Sequence, residues 1–246
     1  MVLLFLIKYI KSTRIWSTSF LISGSLIGSI SIITKKNEEN GGGINSLNIY
    51  SLFLSFLVLY FINNISNLVN TYYDYKNGLD KKETSGDKTL FQDSIKITPN
   101  DIVFFIKVTY ICIIISLIIL LVYCNFGFNE IVSHVIPTIV VTSFISHFYT
   151  APPISFKYRA LGEISASFNY FTIVPFIVYF QSIQVFKEYF IEIFNYSMIL
   201  TLSCCSIIYS NNIRDLKIDK FSNIITIPII IGENLSYSIY FLIYFL

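Results

Sequence analysis

Long apolar runs alternate with short polar breaks along the whole chain. Crossing a bilayer takes roughly 17 to 25 mostly apolar residues, because a helix rises about 1.5 Å per residue through about 30 Å of hydrocarbon. Windows of that length fall at about 15–33, 48–70, 102–123, 131–149, 164–185, 190–210 and 224–246, so the pattern predicts seven membrane helices. Gly24 and Gly28 form a GxxxG step in the first, a spacing that lets helix backbones approach closely. Residues 35–46, KKNEENGGGINS, read as a flexible polar connector. The N-terminal MVLLFLIKYIKSTR sets its apolar residues before its charges. A secretory signal has the reverse order, so this stretch reads as a membrane-surface segment that stays on the chain.

Composition agrees with the pattern. Of 246 residues, 54% are hydrophobic and 13% charged, against about 25% charged in soluble domains. Too little polar surface remains to cover a water-soluble globule, so the expected fold class is an all-α, polytopic transmembrane bundle in one domain, 1–246. A net charge of +2 gives no case for nucleic acid as a partner. Cys112, Cys124, Cys204 and Cys205 sit in apolar runs without a CxxC pair, which suggests neither a disulfide framework nor a zinc site.

Charge is sided. The N-terminus and the loops after spans two, four and six share one face. They hold Lys8, Lys11, Arg14, Lys76, Lys81, Lys82, Lys88, Lys96, Lys157, Arg159, Arg214, Lys217 and Lys220, against Lys35, Lys36 and Lys187 on the other face. The positive-inside rule assigns the richer face to the cytoplasm or its topological equivalent. That face also holds Asp74, Asp80, Glu83, Asp87, Asp93, Asp101, Glu163, Asp215 and Asp219. Orientation accounts for the cations and leaves the carboxylates to be explained.

Two acidic clusters stand out. In YSNNIRDLKIDK, Asn211, Asp215 and Asp219 are spaced i, i+4, i+8, which keeps them on one helix face with about 40° of drift per step. Asn70 and Asp74 repeat the i, i+4 step, and Gly78 breaks the helix so that Asp80 turns back toward them. Each cluster thus sets an amide and two carboxylates at the end of a membrane helix. Carboxylates crowded together stay ionised only with cations between them. An all-oxygen set suits Mg²⁺, which commonly takes one or two carboxylates plus substrate phosphate oxygens. Two such clusters on one side of a bundle form a two-sided clamp for a diphosphate, with lysines and Arg214 neutralising the remaining charge. A lone DxxxD arises often by chance in mixed-charge loops. The functional reading rests on there being two, each led by Asn.

A third stretch, HFYTAPPISFKYRALGE at 147–163, lies on the same face. Pro152 and Pro153 end a span and Gly162 permits another sharp turn. Tyr149 and Lys157 are expected at the mouth, where Lys157 reads equally as a turn cation or as a diphosphate ligand. Tyr158 and Arg159 read more simply as an interfacial aromatic and a snorkelling cation. His134 and His147 share one span with no carboxylate at ligand spacing, so no metal role is read for them.

Together NTYYDYKNGLD, DKTL, YTAPP…FKYRALGE and NNIRDLKIDK closely resemble the motifs of the UbiA superfamily of intramembrane aromatic prenyltransferases. The six-residue step from Asp74 to Asp80 is similar to the menaquinone-type (MenA) branch and its animal relatives. The ubiquinone branch typically reads NDxxDxxxD. The resemblance runs from about residue 12 to 246, with motifs and spans in the same order. It implies a ring of nine helices around a central cavity that opens sideways to lipid, of which about seven are present here. Relatives continue through about two more helices, so the domain is expected to be incomplete at its C-terminus.

The resemblance further implies Mg²⁺ and an isoprenyl diphosphate, geranylgeranyl or longer, with an aromatic quinone precursor as acceptor. Asp74, Asp80, Asp215 and Asp219 are then the catalytic aspartates, and with Asn70 and Asn211 they hold the metal. Lys157 and Arg214 contact the diphosphate, Lys88 and Asn212 join them as substrate-binding residues, and Tyr72 and Tyr149 face the developing cation or the acceptor. The branch implies 1,4-dihydroxy-2-naphthoate and menaquinone (vitamin K2) biosynthesis. Acceptors of other quinone pathways, 4-hydroxybenzoate or homogentisate, stay open, as does a non-catalytic isoprenoid-binding protein. A transporter would bury its acids mid-span, whereas these lie at helix ends. In a eukaryote the endoplasmic reticulum, Golgi or mitochondrial membrane is expected.

Overall fold

A computed structural model describes residues 2–40, 43–80, 89–91, 96–222 and 224–245. The helices run in order α1 (Val2–Ser12), α2 (Ser19–Asn40), α3 (Ile49–Lys76), α4 (Pro99–Cys124), α5 (Phe128–Glu130), α6 (Ile136–Phe148), α7 (Gly162–Phe171), α8 (Ile173–Gln181), α9 (Ile183–Glu188), α10 (Phe190–Arg214), α11 (Leu216–Phe221), α12 (Ile227–Ile231) and α13 (Glu233–Phe245). A π turn, Ile131–Val135, carries α5 into α6. The molecule is an all-α bundle and an integral, multi-pass membrane protein.

Among the described residues, five stretches are long and apolar enough to cross a membrane: Ile15–Glu38, Ile49–Lys76, Pro99–Cys124, Phe128–Phe148 and Phe190–Arg214. They coincide with five of the seven expected windows. The other two windows are broken, for local reasons. Pro175 offers no N–H to the Phe171 carbonyl and its ring crowds that position, so α7 stops at Phe171 and α8 starts at Ile173. Gly232, at φ +85°, separates α12 from α13.

The broken fifth window is also the centre of the bundle. Ile173, Val174, Phe176, Ile177, Val178, Tyr179 and Phe180 of α8 are all buried. The GxxxG step explains how α2 reaches them. A Cβ on Gly24 would lie 2.6 Å from Ile173 Cγ2 and 2.8 Å from Leu200 Cδ2, and one on Gly28 would lie 2.9 Å from Ile177 Cγ2. Only bare backbone fits at either position.

Caps fix where the long helices start. The Asn48 side chain accepts from the Ser51 N–H at 3.0 Å to open α3. Thr98 and Asp101 form a reciprocal capping box, with Pro99 in the first turn of α4. Asp101 also accepts from Lys8 Nζ at 2.9 Å, and Tyr9 Oη meets Thr109 Oγ1 at 2.9 Å, so α1 is tied to α4. Ile111, Ile114, Ile115, Ile118 and Ile119 of α4 face outward, an apolar surface suited to lipid.

A cavity of about 530 Å³ lies among α2, α3, α6, α7 and α10 and reaches the end of the bundle where α3 and α10 finish.

Candidate active site

The first acidic motif grows out of α3. Asn63, Asn67, Asn70 and Asp74 follow one another at i, i+4, i+7 and i+11, one face of a helix, and all four line the cavity. The helix then closes in a Schellman turn. Gly78, at φ +69°, donates to the Tyr75 carbonyl at 3.0 Å, and Leu79 N–H donates to the Asp74 carbonyl at 2.9 Å. Asp80 N–H follows to the same carbonyl at 3.3 Å. The turn folds the chain back, and Asp80 lines the same cavity.

Asp74 is 4% exposed. A carboxylate that deep needs partners for both oxygens, and both come from the loop between α6 and α7. Tyr158 Oη donates to Oδ1 at 2.6 Å and Lys157 Nζ to Oδ2 at 2.6 Å. Lys157 Nζ also donates to Asn70 Oδ1 at 3.2 Å, which joins amide and carboxylate through one cation. Burial, reinforced by the charge of Asp74, pushes the Tyr158 phenol well above its usual range, so it remains a donor. Burial, then the Asp74 and Glu163 charges, push Tyr149 the same way.

Backbone contacts hold that loop in place. Lys157 N–H donates to the Tyr149 carbonyl at 2.8 Å. Ala160 N–H donates to Ile225 at 2.6 Å and Ile225 N–H to Tyr158 at 3.2 Å, a parallel bridge across Arg159 and Ile225. Gly162 gives the loop room, since a Cβ there would sit 3.2 Å from Lys157 Cα. Tyr158 is therefore no interfacial aromatic, as the simpler sequence reading had it. Arg159 keeps that reading: it is exposed and donates to the Pro153 carbonyl at 3.0 Å.

The second motif ends α10. Asn211, Asn212, Arg214 and Asp215 line the cavity, with Tyr149 and Lys157 opposite. The helix breaks at Asp215, yet Asp215 N–H still reaches the Asn211 carbonyl and Asp219 N–H the Asp215 carbonyl, both at 2.9 Å. Arg214 grips Asp215 with two bonds, Nε to Oδ1 at 2.8 Å and Nη2 to Oδ2 at 2.6 Å. Asn212 Nδ2 donates to Glu163 Oε1 at 2.8 Å. Asp219 stands outside the lining, one turn farther along. Its carboxyl is pushed up to about 6, first by burial and then by Asp215, Asp74 and Glu163, with Lys157 opposing.

One expected site residue ends elsewhere. Tyr72 lies two residues past Asn70, about 200° round the helix, and packs on the second apolar cluster of Leu68, Ile97, Ile102 and Phe105 rather than at the cavity. Lys88 lies outside the described residues. The two histidines make structural contacts: His147 Nδ1 meets Tyr110 Oη at 3.0 Å, and His134 lies 5.6 Å from the Tyr179 ring.

Sequence reading missed the inner half of the cavity. Ser17 Oγ accepts from Asn63 Nδ2 at 3.0 Å and from Asn67 Nδ2 at 2.7 Å, while Tyr170 Oη donates to Asn63 Oδ1 at 3.2 Å. Asn169 Nδ2 donates to Ser146 Oγ at 2.9 Å. The signal was available, because a helical stripe of amides inside an apolar span is costly unless it faces a cavity.

The donors suit a hard cation. Carboxylate and amide oxygens from two helix ends face one space, the chemistry Mg²⁺ prefers. Among the described residues no three His, Cys, Asp or Glu side chains gather tightly enough to enclose an ion by themselves.

Comparison with known proteins places the chain in a family. The pattern of the UbiA prenyltransferase family matches residues 40–246. The chain is 29% identical to UbiA prenyltransferase domain-containing protein 1 of Danio rerio, over 96% of this chain and 65% of the relative. It is 30% identical to that of Xenopus tropicalis, over 97% of this chain and 64% of the relative. It is 28% identical to that of Dictyostelium discoideum, over 96% and 67%. The chain thus spans about two thirds of the length of these relatives.

Proposed function

The chain belongs to the UbiA prenyltransferase family, and from that premise we propose that it transfers an isoprenyl group from an isoprenyl diphosphate to an electron-rich aromatic acceptor. The acceptor we favour is 1,4-dihydroxy-2-naphthoate or a related naphthoquinol, as in menaquinone synthesis. The six-residue step from Asp74 to Asp80 is the sequence feature behind that choice. The observation that carries the reading is the buried Asp74, held by Lys157 and Tyr158 at a cavity that the second motif also faces.

Asn70, Asp74 and Asp80 would hold Mg²⁺ from one side, and Asn211, Asp215 and Asp219 from the other. Bound there, Mg²⁺ supplies positive charge against the leaving diphosphate. Lys157 and Arg214 neutralise diphosphate oxygens, and Tyr158 donates a hydrogen bond at the same end. Tyr149 turns its aromatic face to the allylic carbon as positive charge develops there. Phe20, Leu59, Ile62, Ile173 and Ile207 line the cavity and keep water from that carbon. The amide and hydroxyl group of Ser17, Asn63, Asn67 and Tyr170 gives the acceptor ring a neutral polar wall deeper in. All these residues belong to a single domain, 1–246.

Membranes containing the chain, supplied with Mg²⁺, labelled geranylgeranyl diphosphate and 1,4-dihydroxy-2-naphthoate, should release diphosphate and form a lipid-soluble prenylated naphthoquinol. Chelation or Asp215→Ala should abolish it. Product from 4-hydroxybenzoate or homogentisate in its place would move the chain to another quinone pathway. Diphosphate binding without product from any acceptor would overturn turnover.

A further inference from the structure

Glu163 has no task in the reading above, yet its carboxylate is among the most deeply placed charges in the protein, 1% exposed. It sits in the first turn of α7, where the helix dipole favours a negative charge. That does not repay burial by itself. Oε1 accepts from Asn212 Nδ2 at 2.8 Å, and Oε2 is buried with no hydrogen-bond partner. The bond crosses between α7 and α10, which pack side by side. Its far end is in the second motif, three residues before Asp215.

The residue before it matters as well. Gly162 is where the backbone of Lys157 comes within 3.2 Å of a notional Cβ. Position 162 therefore seats the loop that holds Asp74, and position 163 holds the helix end that carries Asp215. We propose that Glu163 is a positioning residue for diphosphate binding. Its carboxylate fixes Asn212, and with it the 211–215 segment, against the cavity. One two-residue junction thereby sets both acidic motifs relative to each other. This rests on the diphosphate-binding reading of the two motifs.

The physical basis is the strength of a charge-assisted bond away from water. An amide at a half-exposed helix end has several rotamers open to it, and a buried carboxylate leaves it one. Outer partners of this kind typically govern about 10- to 100-fold in metal affinity or activity without touching the metal.

The test reverses the polarity of the pair. Asn212→Asp alone sets two carboxylates against each other. The double variant Glu163→Gln/Asn212→Asp restores a donor and an acceptor of the same lengths, now exchanged. Trp16, the single tryptophan, lines the cavity and reports ligand binding by fluorescence. With the full chain in nanodiscs, a non-hydrolysable geranylgeranyl diphosphate analogue and Mg²⁺ should bind about 100-fold more weakly to Asn212→Asp. Binding to the double variant should return to within about threefold of wild type. The acceptor KM should be unchanged in every variant that turns over. Hydrogen exchange at 211–219, measured without ligand, should quicken about tenfold in Asn212→Asp and recover in the double variant.

A double variant with wild-type thermal stability but no recovery of binding or protection would overturn the proposal. So would a Glu163→Gln variant that loses stability while binding the analogue normally. If wild type itself binds no analogue, the prenyl-diphosphate reading fails, and the exchange measurement alone decides on Glu163.

Discussion

The two aspartate motifs have the same Asn-to-Asp step and end helices on the same side of the bundle, but they are held in opposite ways. The Asp74 side chain is 6% exposed, and its partners lie 83 and 84 residues away in sequence. The Asp215 side chain is 37% exposed and its partner is the residue before it. The first motif is built by tertiary structure, its partners carried on a loop that a backbone bridge anchors. The second is neutralised locally, in water, by an arginine that can let go at little cost. One half of the clamp is therefore a fixed jaw. On the proposed reading, the other would meet an incoming diphosphate by exchanging Arg214 from its own carboxylate to the ligand.

Lys157→Met tests this contrast hardest. It leaves Asp74 buried without its cation, a change that costs roughly 3 kcal/mol when one partner of a buried pair is removed. Denaturation in detergent should show that loss, and prenyl transfer should fall at least 100-fold. An unchanged midpoint would mean that Asp74 does not depend on the pair. Tyr158→Phe comes next. Losing a hydrogen bond to a charged group costs about 2 kcal/mol, and the analogue should bind about tenfold more weakly.

Arg214→Ala should cost under about 1 kcal/mol of stability, as exposed pairs do, while raising the diphosphate KM about tenfold. A stability loss as large as that of Lys157→Met would erase the distinction between the jaws. The smallest effect concerns pH. Asp219 titrates near 6, above the 3.8 of an ordinary aspartate. An acid raised in the fold prefers its proton there, so its contribution to metal-free stability grows as pH falls from about 6 toward 3.8 and is absent above that window. Metal binding needs the ionised form, so half-saturating Mg²⁺ should rise about tenfold between pH 7 and pH 5. Asp219→Asn should remove that dependence while binding weakly throughout.

These contrasts also mark what the chain alone could and could not reveal. Period and spacing showed where Asp74, Asp80 and Asp215 would meet, because helix geometry and a glycine break are local rules. The helix count was legible only in part. Pro175 and Gly232 each cut a window that hydropathy read as continuous, and both residues were visible in the sequence. Tyr158 was not legible as a partner of Asp74. In a tight loop, neighbouring side chains point in unrelated directions, and nothing at position 158 signals a carboxylate 84 residues earlier. Glu163 was hidden for a related reason. On an exposed loop it would be one more surface acid, and only burial gives it weight.

The parallel bridge between Arg159 and Ile225 joins two stretches of chain into a closed circuit. From Tyr158 the chain runs through α7 to α11 and returns at Ile225, beside its starting point. Length is thereby counted around the circuit. Residues added or removed just before Ile225 would have to be absorbed by the bridge or passed on to Tyr158 and Lys157. A point substitution at Ser222 should be tolerated far better than a one-residue insertion between Ile224 and Ile225, because the bridge there is sensitive to spacing before it is sensitive to chemistry.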